Sequence, residues 1–266
     1  MTAKSPAELL RAAGYLPRPA GTVLLDGPAA LLLEAWRAWI RRRFAEIARE
    51  LVDAPALIAA DVLDRAGYRT SFPQHLVEAR GIAFRGRSFA TPAACLHVYP
   101  ALAGSHISAA RTLVVEARCM RHEGGRWRYP YRLQSFGMIE LVVAGSPSVV
   151  ERRRAVAAAT LARGLRRLGV EGEWRPATDP FFADGARALQ KLMGAKHELT
   201  VAGSPPVALA SSNRHGDRFG RAFRIRCRDG APAFTACVAV GLERLVAHSL
   251  LVWGPVPSRW PRELRR

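Results

Sequence analysis

Apolar positions along the 266-residue chain fall into a few distinct rhythms, and each predicts an element. Over residues 28–52, Leu33, Trp36, Ile40, Phe44 and Ile47 recur at helical spacing with Arg41, Arg42 and Arg43 opposite, which predicts one long amphipathic helix. A second helix is predicted over 56–66, stopping at Gly67. Residues 88–104 read as an irregular, proline-bounded strand on which Cys95, His97 and Tyr99 share a face. Over 114–145, two apolar and β-branched runs flank Gly124 and Gly125 and a short basic, aromatic loop, the pattern of a long antiparallel hairpin. Alternation places Cys119, Arg121 and Glu123 on one face of the outgoing strand and Arg132, Phe136 and Glu140 on one face of the return.

The second half continues in the same mixed style. Residues 148–168 predict a helix capped by Ser146 or Ser148 and ended by Gly169. Its Arg152, Arg153 and Arg154 lie near the start, where the helix dipole disfavours cations; they either serve a partner or are solvated surface. A helix over about 184–193 shows Arg187 and Lys191 on one side. Strands follow around 207–211 and 222–226, then a turn at 228–230 and a strand over 234–240 that runs into a Gly-initiated helix with Arg244 in its first turn. The Ala-, Pro- and Gly-rich residues 1–22 predict a loosely ordered start, and the Arg-rich residues 259–266 a frayed end. There is no internal repeat.

Composition narrows the class. A hydrophobic content of 49% supports a substantial core, and no apolar run approaches the roughly 20 residues of a membrane span. MTAKSPAELLRAAGY lacks the apolar core of a secretory signal, so the expected compartment is the cytoplasm. Cys95, Cys119, Cys227 and Cys237 form no C-x-x-C pair, which removes a zinc ribbon or redox motif and leaves reduced thiols. By itself Cys95 reads as a small buried hydrophobe. Lys+Arg 40 against Asp+Glu 22 gives a formal net charge of +18, which attracts polyanions: tRNA, another nucleic acid or an acidic protein. The same balance arises when arginines are simply spread over helix surfaces.

The chemistry concentrates in the predicted hairpin. Arg121-x-Glu123, a variable loop, then Arg132 four residues before Phe136 resembles motif 2 of the class II aminoacyl-tRNA synthetases. The resemblance implies an ATP site with Arg121 on the α-phosphate, Glu123 near the adenine and amino-acid end, Arg132 towards the γ-phosphate and Phe136 stacked on adenine. Fixed guanidiniums suit an in-line attack on the α-phosphorus, because charge develops on phosphate oxygens. ACVAVGLERLVAHSLLVWG resembles motif 3 of the same class, with Arg244 in the place of the helix arginine. The implied fold is α+β, a class II synthetase catalytic domain with an antiparallel sheet flanked by helices.

A narrower resemblance rests on GYRTSFP, AACLHVYP, RCMRHEGG, RLQSFGMIELVVAG, ATDPFF, SSNRHGDRFGRAF and ACVAVGLER. Together these blocks are similar to the amino acid:carrier-protein ligases, truncated relatives of the atypical archaeal seryl-tRNA synthetases. What the family implies is zinc in the amino-acid pocket, held at positions that here are Cys95, Glu140 and Cys237. Three protein ligands leave one open position, which an amino group can fill. It also implies ATP with magnesium, a small amino acid (glycine or alanine), an acidic phosphopantetheine-bearing carrier protein and a homodimer. One catalytic domain over 1–266 is expected, with an N-terminal helical segment over about 1–66 and a carrier-docking helical insertion over about 174–197 that presents Arg187 and Lys191. Two departures stand out: Ala239 occupies a motif 3 position where glycine is expected, and residues 207–213 offer no acid where related synthetases place a magnesium ligand. The rival readings are a tRNA-charging enzyme, disfavoured by the missing tRNA-reaching appendage, and a catalytically silent paralogue that binds nucleic acid or regulates.

Overall fold

The computed structural model describes residues 5–81, 86–125, 127–178, 195–203 and 206–265. Helix α1 (Pro6–Ala12) begins at a reciprocal cap: Ser5 Oγ accepts from the Glu8 amide at 3.3 Å and Glu8 Oε2 accepts from the Ser5 amide at 2.7 Å. Strands β1 (Tyr15–Arg18) and β2 (Thr22–Leu25) follow as an antiparallel pair. Leu10 and Tyr15 are fully buried, so the segment expected to be loose is packed from residue 5 onward.

The amphipathic helix α2 (Gly27–Ala45) starts at Asp26 and buries Leu32, Leu33, Trp36, Trp39, Ile40 and Phe44. It stops short of the predicted 52, because the chain turns into β3 (Glu50–Asp53) and joins the main sheet. The predicted second helix is shared between β4 (Leu57–Ala59) and α3 (Ala60–Arg65), after which come the single turn α4 (Tyr68–Ser71), β5 (Glu78–Ala79) and β6 (Ser88–Ala90). The predicted strand through Cys95, His97 and Tyr99 is instead a 3-10 turn over Ala94–His97 leading into α5 (Val98–Ala101). Cys95 thus sits on a tight turn.

After β7 (His106–Ile107) come the long strands β8 (Arg111–Met120) and β9 (Ser135–Gly145) and the helix α6 (Pro147–Arg167). Two of the dipole-opposed arginines point inward: Arg153 donates to Ala110 O at 3.0 Å and Arg154 to Ser212 Oγ at 2.7 Å, tying α6 to the sheet. The chain continues through β10 (Glu173–Pro176), β11 (Lys196–Val201) and β12 (Val207–Gly216), then α7 (Arg218–Phe223) and β13 (Arg226–Cys227). Of residues 222–226, predicted as a strand, Ala222 and Phe223 end α7, Arg224 caps it and only Arg226 lies in a strand, β13. A Cβ on Gly220 would lie 2.1 Å from Ala233 O, so only glycine lets the helix settle against the next strand. β14 (Phe234–Gly241) and α8 (Leu242–Trp253) complete the core.

Seven strands form one sheet in the order β10-β11-β12-β14-β9-β8-β3, antiparallel throughout except for the parallel β3–β8 pair at one edge. One face packs Ile139, Leu141, Val143, Val238 and Val240 against α2, α6 and α8. The other face gathers Cys119, Val142 and Cys237 with Tyr99, Phe219 and Phe223. Each such large apolar side chain contributes roughly 1.5–3 kcal/mol when fully buried. The Arg-rich end is packed rather than frayed. Trp260 and Leu264 are buried, and Glu263 accepts from Trp39 Nε1 and Arg43 Nη2, each at 2.9 Å. Among the described residues, no helix is long and apolar enough to cross a membrane.

Candidate active site and metal centre

The β8–β9 ladder runs from Arg111 opposite Ala144 to Met120 opposite Ser135. Arg121, Glu123 and Arg132 therefore lie in the connection just beyond the paired strands, not on the strand faces that alternation predicted. Arg121 extends the ladder by donating its amide to Gln134 O at 2.9 Å, and its Nε donates to Pro92 O at 2.7 Å. Its guanidinium lies 5.3 Å from the Phe136 ring centroid, a cation–π contact. Arg132 Nε donates to Glu123 Oε2 at 2.5 Å. Arg244, in the first turn of α8, closes the cluster by donating to Tyr131 O at 2.7 Å and Ala208 O at 2.8 Å.

Electrostatics confirm that these groups share one space. Burial lowers the Arg244 pKa; nearby Glu198 and Glu123 oppose the shift, while Arg121 and Arg132 add to it by repulsion. Three guanidiniums against the two carboxylates Glu123 and Glu198 leave this cluster with an excess of positive charge, which favours an anion.

On the same sheet face, Glu140 of β9 and Cys237 of β14 meet Cys95 from the 3-10 turn. Their ligand atoms lie within 4.8 Å of one another and all three residues are buried. The Cys95 amide donates to Glu140 Oε1 at 3.1 Å, which orients the carboxylate. Two sulfurs and one oxygen are a donor set that suits zinc, and three ligands leave a position open. The hydrogen bond that the Cys95 thiol donates to Cys237, burial and the Glu140 charge push the Cys95 thiol well above its ordinary pKa. At Cys237 the Cys95 hydrogen bond favours the thiolate, but burial and Glu140 outweigh it and raise the pKa. Three acidic groups packed this closely resist ionising together, and a divalent cation among them reverses that balance.

Sequence reasoning missed the groups beneath the sulfurs. Asn213 stands directly across from Cys237 in the β12–β14 ladder, and its Nδ2 donates to Cys237 Sγ at 3.4 Å. His215 Nε2 lies 3.7 Å from the same sulfur, and its Nδ1 lies 3.2 Å from both Tyr99 Oη and Thr235 Oγ1. Burial, with Arg218 nearby, pushes the His215 pKa down to about 4, so the ring is neutral. Asn213 and His215 belong to the quoted block SSNRHGD, and that block was the available signal.

A second missed group is Glu198. Register sets Glu140, Ala239, Ser211 and Glu198 side by side across β9, β14, β12 and β11. The acid absent from residues 207–213 thus has a carboxylate neighbour one strand over. Ala239 itself forms part of this floor and is buried. Of the two remaining cysteines, Cys119 is fully buried, with its pKa raised to about 12 by burial, and Cys227 is partly exposed. Arg187 and Lys191 lie outside the described residues.

No protein-family model matches the chain. Among proteins with curated names, it is similar to amino acid–acyl-carrier-protein ligase 2 of Bradyrhizobium diazoefficiens, with 32% identity over 250 residues, covering 81% of this chain and 73% of that protein. Ligase 1 of the same organism is 30% identical over 254 residues, covering 83% of this chain and 76% of the relative. Among solved structures, the M. kandleri seryl-tRNA synthetase bound to A. aeolicus tRNASec superposes with a TM-score of 0.85 at 21% identity, covering 100% of this chain and 60% of that one. The fold is that of a class II aminoacyl-tRNA synthetase catalytic domain.

Proposed function

The chain belongs to the amino acid–acyl-carrier-protein ligases, enzymes resembling class II aminoacyl-tRNA synthetases, and we propose that it activates a small amino acid with ATP and transfers it to a carrier-protein thiol. The observation that carries this reading is the placement of two sites on one sheet face. Phe136 and Glu140 lie on the same side of β9, four residues or roughly 13 Å apart. An aminoacyl-adenylate would span that distance, adenine against Phe136 and amino group towards Glu140.

In the first half-reaction the amino-acid carboxylate attacks the α-phosphorus, a C(O)–O–P bond forms and pyrophosphate leaves. Arg121 and Arg244 stabilise the charge that builds on the phosphate oxygens, and both are held in advance by backbone carbonyls, so little reorganisation is needed. In the second, the phosphopantetheine thiolate attacks the acyl carbon, a thioester forms and AMP leaves. Cys95, Glu140 and Cys237 would hold zinc, which supplies a Lewis-acid site for the neutral amino group of the substrate. Magnesium entering with ATP would meet Glu198. With the amino group fixed, the pocket wall alone reads the side chain, and glycine or alanine is the proposed substrate.

The partner is an acidic carrier protein, drawn by the net charge of +18 and met by the segment containing Arg187 and Lys191. A homodimer and a cytoplasmic location complete the proposal. The edge strand β3 with exposed Leu51, and Leu31 exposed on α2, would face the second copy, and a reducing compartment keeps both metal-binding thiols available. The test is ATP–pyrophosphate exchange across the amino acids, followed by transfer to holo carrier protein or to tRNA. Exchange with glycine or alanine and thioester formation on the carrier is the expected result. Charging of tRNA, or absence of exchange alongside tight, salt-dependent RNA binding, would overturn it.

A further inference from the structure

Two side chains of β12 converge on one sulfur without belonging to the metal triad. Asn213 is paired opposite Cys237, and its amide nitrogen can only donate to Sγ, at 3.4 Å. The ladder then skips a residue between Arg214 and Gly216, leaving His215 outside the register, with Nε2 at 3.7 Å from the same sulfur. Nδ1 on the far side of the ring faces two hydroxyls, Tyr99 Oη and Thr235 Oγ1, both at 3.2 Å. Tyr99 is held in turn by its ring stacked on Phe219 at 4.0 Å.

One proton arrangement of the ring fits when Cys237 is a thiolate. Sγ then only accepts, so the ring proton sits on Nε2 and Nδ1 accepts from a hydroxyl. We infer that Asn213 and His215 are positioning residues that donate two hydrogen bonds to a metal-bound Cys237 thiolate, with Tyr99 and Thr235 fixing the histidine tautomer. This rests on the reading of Cys95, Glu140 and Cys237 as metal ligands. Two thiolates and a carboxylate around a divalent ion leave a net negative centre. Donors aimed at one sulfur favour the thiolate that the metal needs, draw charge away from it and keep the ion acidic towards the substrate amino group. They also hold the sulfur in place from the β12 side.

The experiment uses the full-length protein loaded with zinc, and separately with cobalt(II). Zinc affinity is read by chelator competition, and the sulfur-to-cobalt charge-transfer band by near-ultraviolet absorption. In Asn213→Ala and His215→Asn, zinc affinity falls by about 10- to 100-fold and the band moves to longer wavelength. His215→Gln, whose side-chain nitrogen reaches the place of Nε2, restores both most of the way, a result that a purely packing role for the ring would not produce. If His215→Asn fails to fold, Asn213→Ala reads the loss and His215→Gln the retention, and an Asn213→Ala protein that matches wild type overturns the inference. A wild-type protein that takes up neither metal overturns the metal-site reading and this inference with it. A wild-type protein that binds one ion, with Asn213→Ala and His215→Asn matching it in affinity and band position, overturns the inference alone.

Discussion

Tyr15 offers the most direct test of how the N-terminal segment serves the active site. The ring is fully buried, its hydroxyl donates to Pro130 O at 2.9 Å with Glu243 O at 3.4 Å, and its own carbonyl accepts from Tyr129 at 2.8 Å. Pro130 lies two residues before Arg132, and Glu243 immediately before Arg244, so one hydroxyl links the motif 2 loop to the motif 3 helix. Tyr15→Phe removes that link and keeps the ring. A lost buried hydrogen bond, with a carbonyl left unpaired, costs about 1–2 kcal/mol. Tyr15→Ala also empties the ring's volume and costs about 3–5 kcal/mol.

Urea unfolding measures these differences, and pyrophosphate exchange with ATP and amino acid varied separately measures the functional share. If about 1 kcal/mol of the Tyr15→Phe loss appears as loosened nucleotide binding, KM for ATP rises about fivefold while KM for the amino acid stays put. A Tyr15→Ala protein within 1 kcal/mol of wild type, as an order-of-magnitude bound, would show that the segment is not part of the core. Equal rises in both KM values for Tyr15→Phe would refute the link to the nucleotide end.

Three further outcomes are expected. Arg244→Ala lowers kcat/KM for ATP by about 10- to 150-fold, the equivalent of one charge-assisted hydrogen bond of 1.5–3 kcal/mol, in steady-state exchange assays; a drop of less than about threefold would remove Arg244 from the phosphate site. Glu198→Gln raises the magnesium concentration needed for half-maximal exchange and weakens manganese–ATP binding by titration calorimetry, whereas an unchanged metal requirement would assign Glu198 to its ion pair with Lys196 alone. The hydrogen bond from Trp39, with Arg43, holds the Glu263 carboxyl below its usual range. Its contribution is therefore complete above the ordinary carboxylate pKa and lost as pH falls through the lowered folded-state value. It is worth less than about 1 kcal/mol because the group is half exposed, and the urea midpoints of wild type and Glu263→Gln should converge in acid; a gap that persists there would contradict the assignment.

The long periodic elements were legible because their patterns are dictated by burial on one side: the β8–β9 hairpin, α2, α6 and the β14–α8 run all lie where hydrophobic spacing predicts them. Short elements were misread where tertiary contacts decide. Residues 222–226 alternate like a strand, yet the close approach of Gly220 to Ala233 and the left-handed Arg224 (φ 54°) put Ala222 and Phe223 at the end of a helix and leave only Arg226 in a strand. The N-terminal segment was discounted for its Pro and Gly content, although Ser5-Pro6-Ala7-Glu8 carries the sequence signature of a capped helix start. The C-terminal tail was discounted for its arginines, although Trp260 and Leu264 are spaced to reach a core.

The site divides along the same line. Arg121, Glu123, Arg132, Phe136 and Arg244 were named by order along the chain, whereas nothing in the spacing of Cys95, Glu140 and Cys237 marks a metal centre. Those three came from the resemblance to carrier-protein ligases. Asn213 and His215 lay inside a block quoted for that resemblance but carried no role there, and Glu198 lay outside the quoted blocks, because each matters only through its cross-strand neighbours.

Those neighbours explain why the two ends of the site are mechanically coupled. β9 carries Phe136 near its start and Glu140 at its middle, and the β14–α8 run carries Cys237 and, seven residues on, Arg244. The two elements are paired from Phe234 opposite Gly145 to Gly241 opposite Met138. Each therefore delivers one residue to the amino-acid end and one to the nucleotide end, and the ladder between them fixes the separation. Glu243 strengthens the join: buried beside Arg244, it accepts from the Gly137 amide at 2.7 Å and from Arg118 at 2.5 Å, pinning α8 to the hairpin. A substrate whose amino group and phosphate are not separated by that fixed length cannot satisfy both ends at once. On the proposed function, the rigidity of two paired strands would select the adenylate of an α-amino acid, with side-chain choice left to the small residues Ala239 and Ser211.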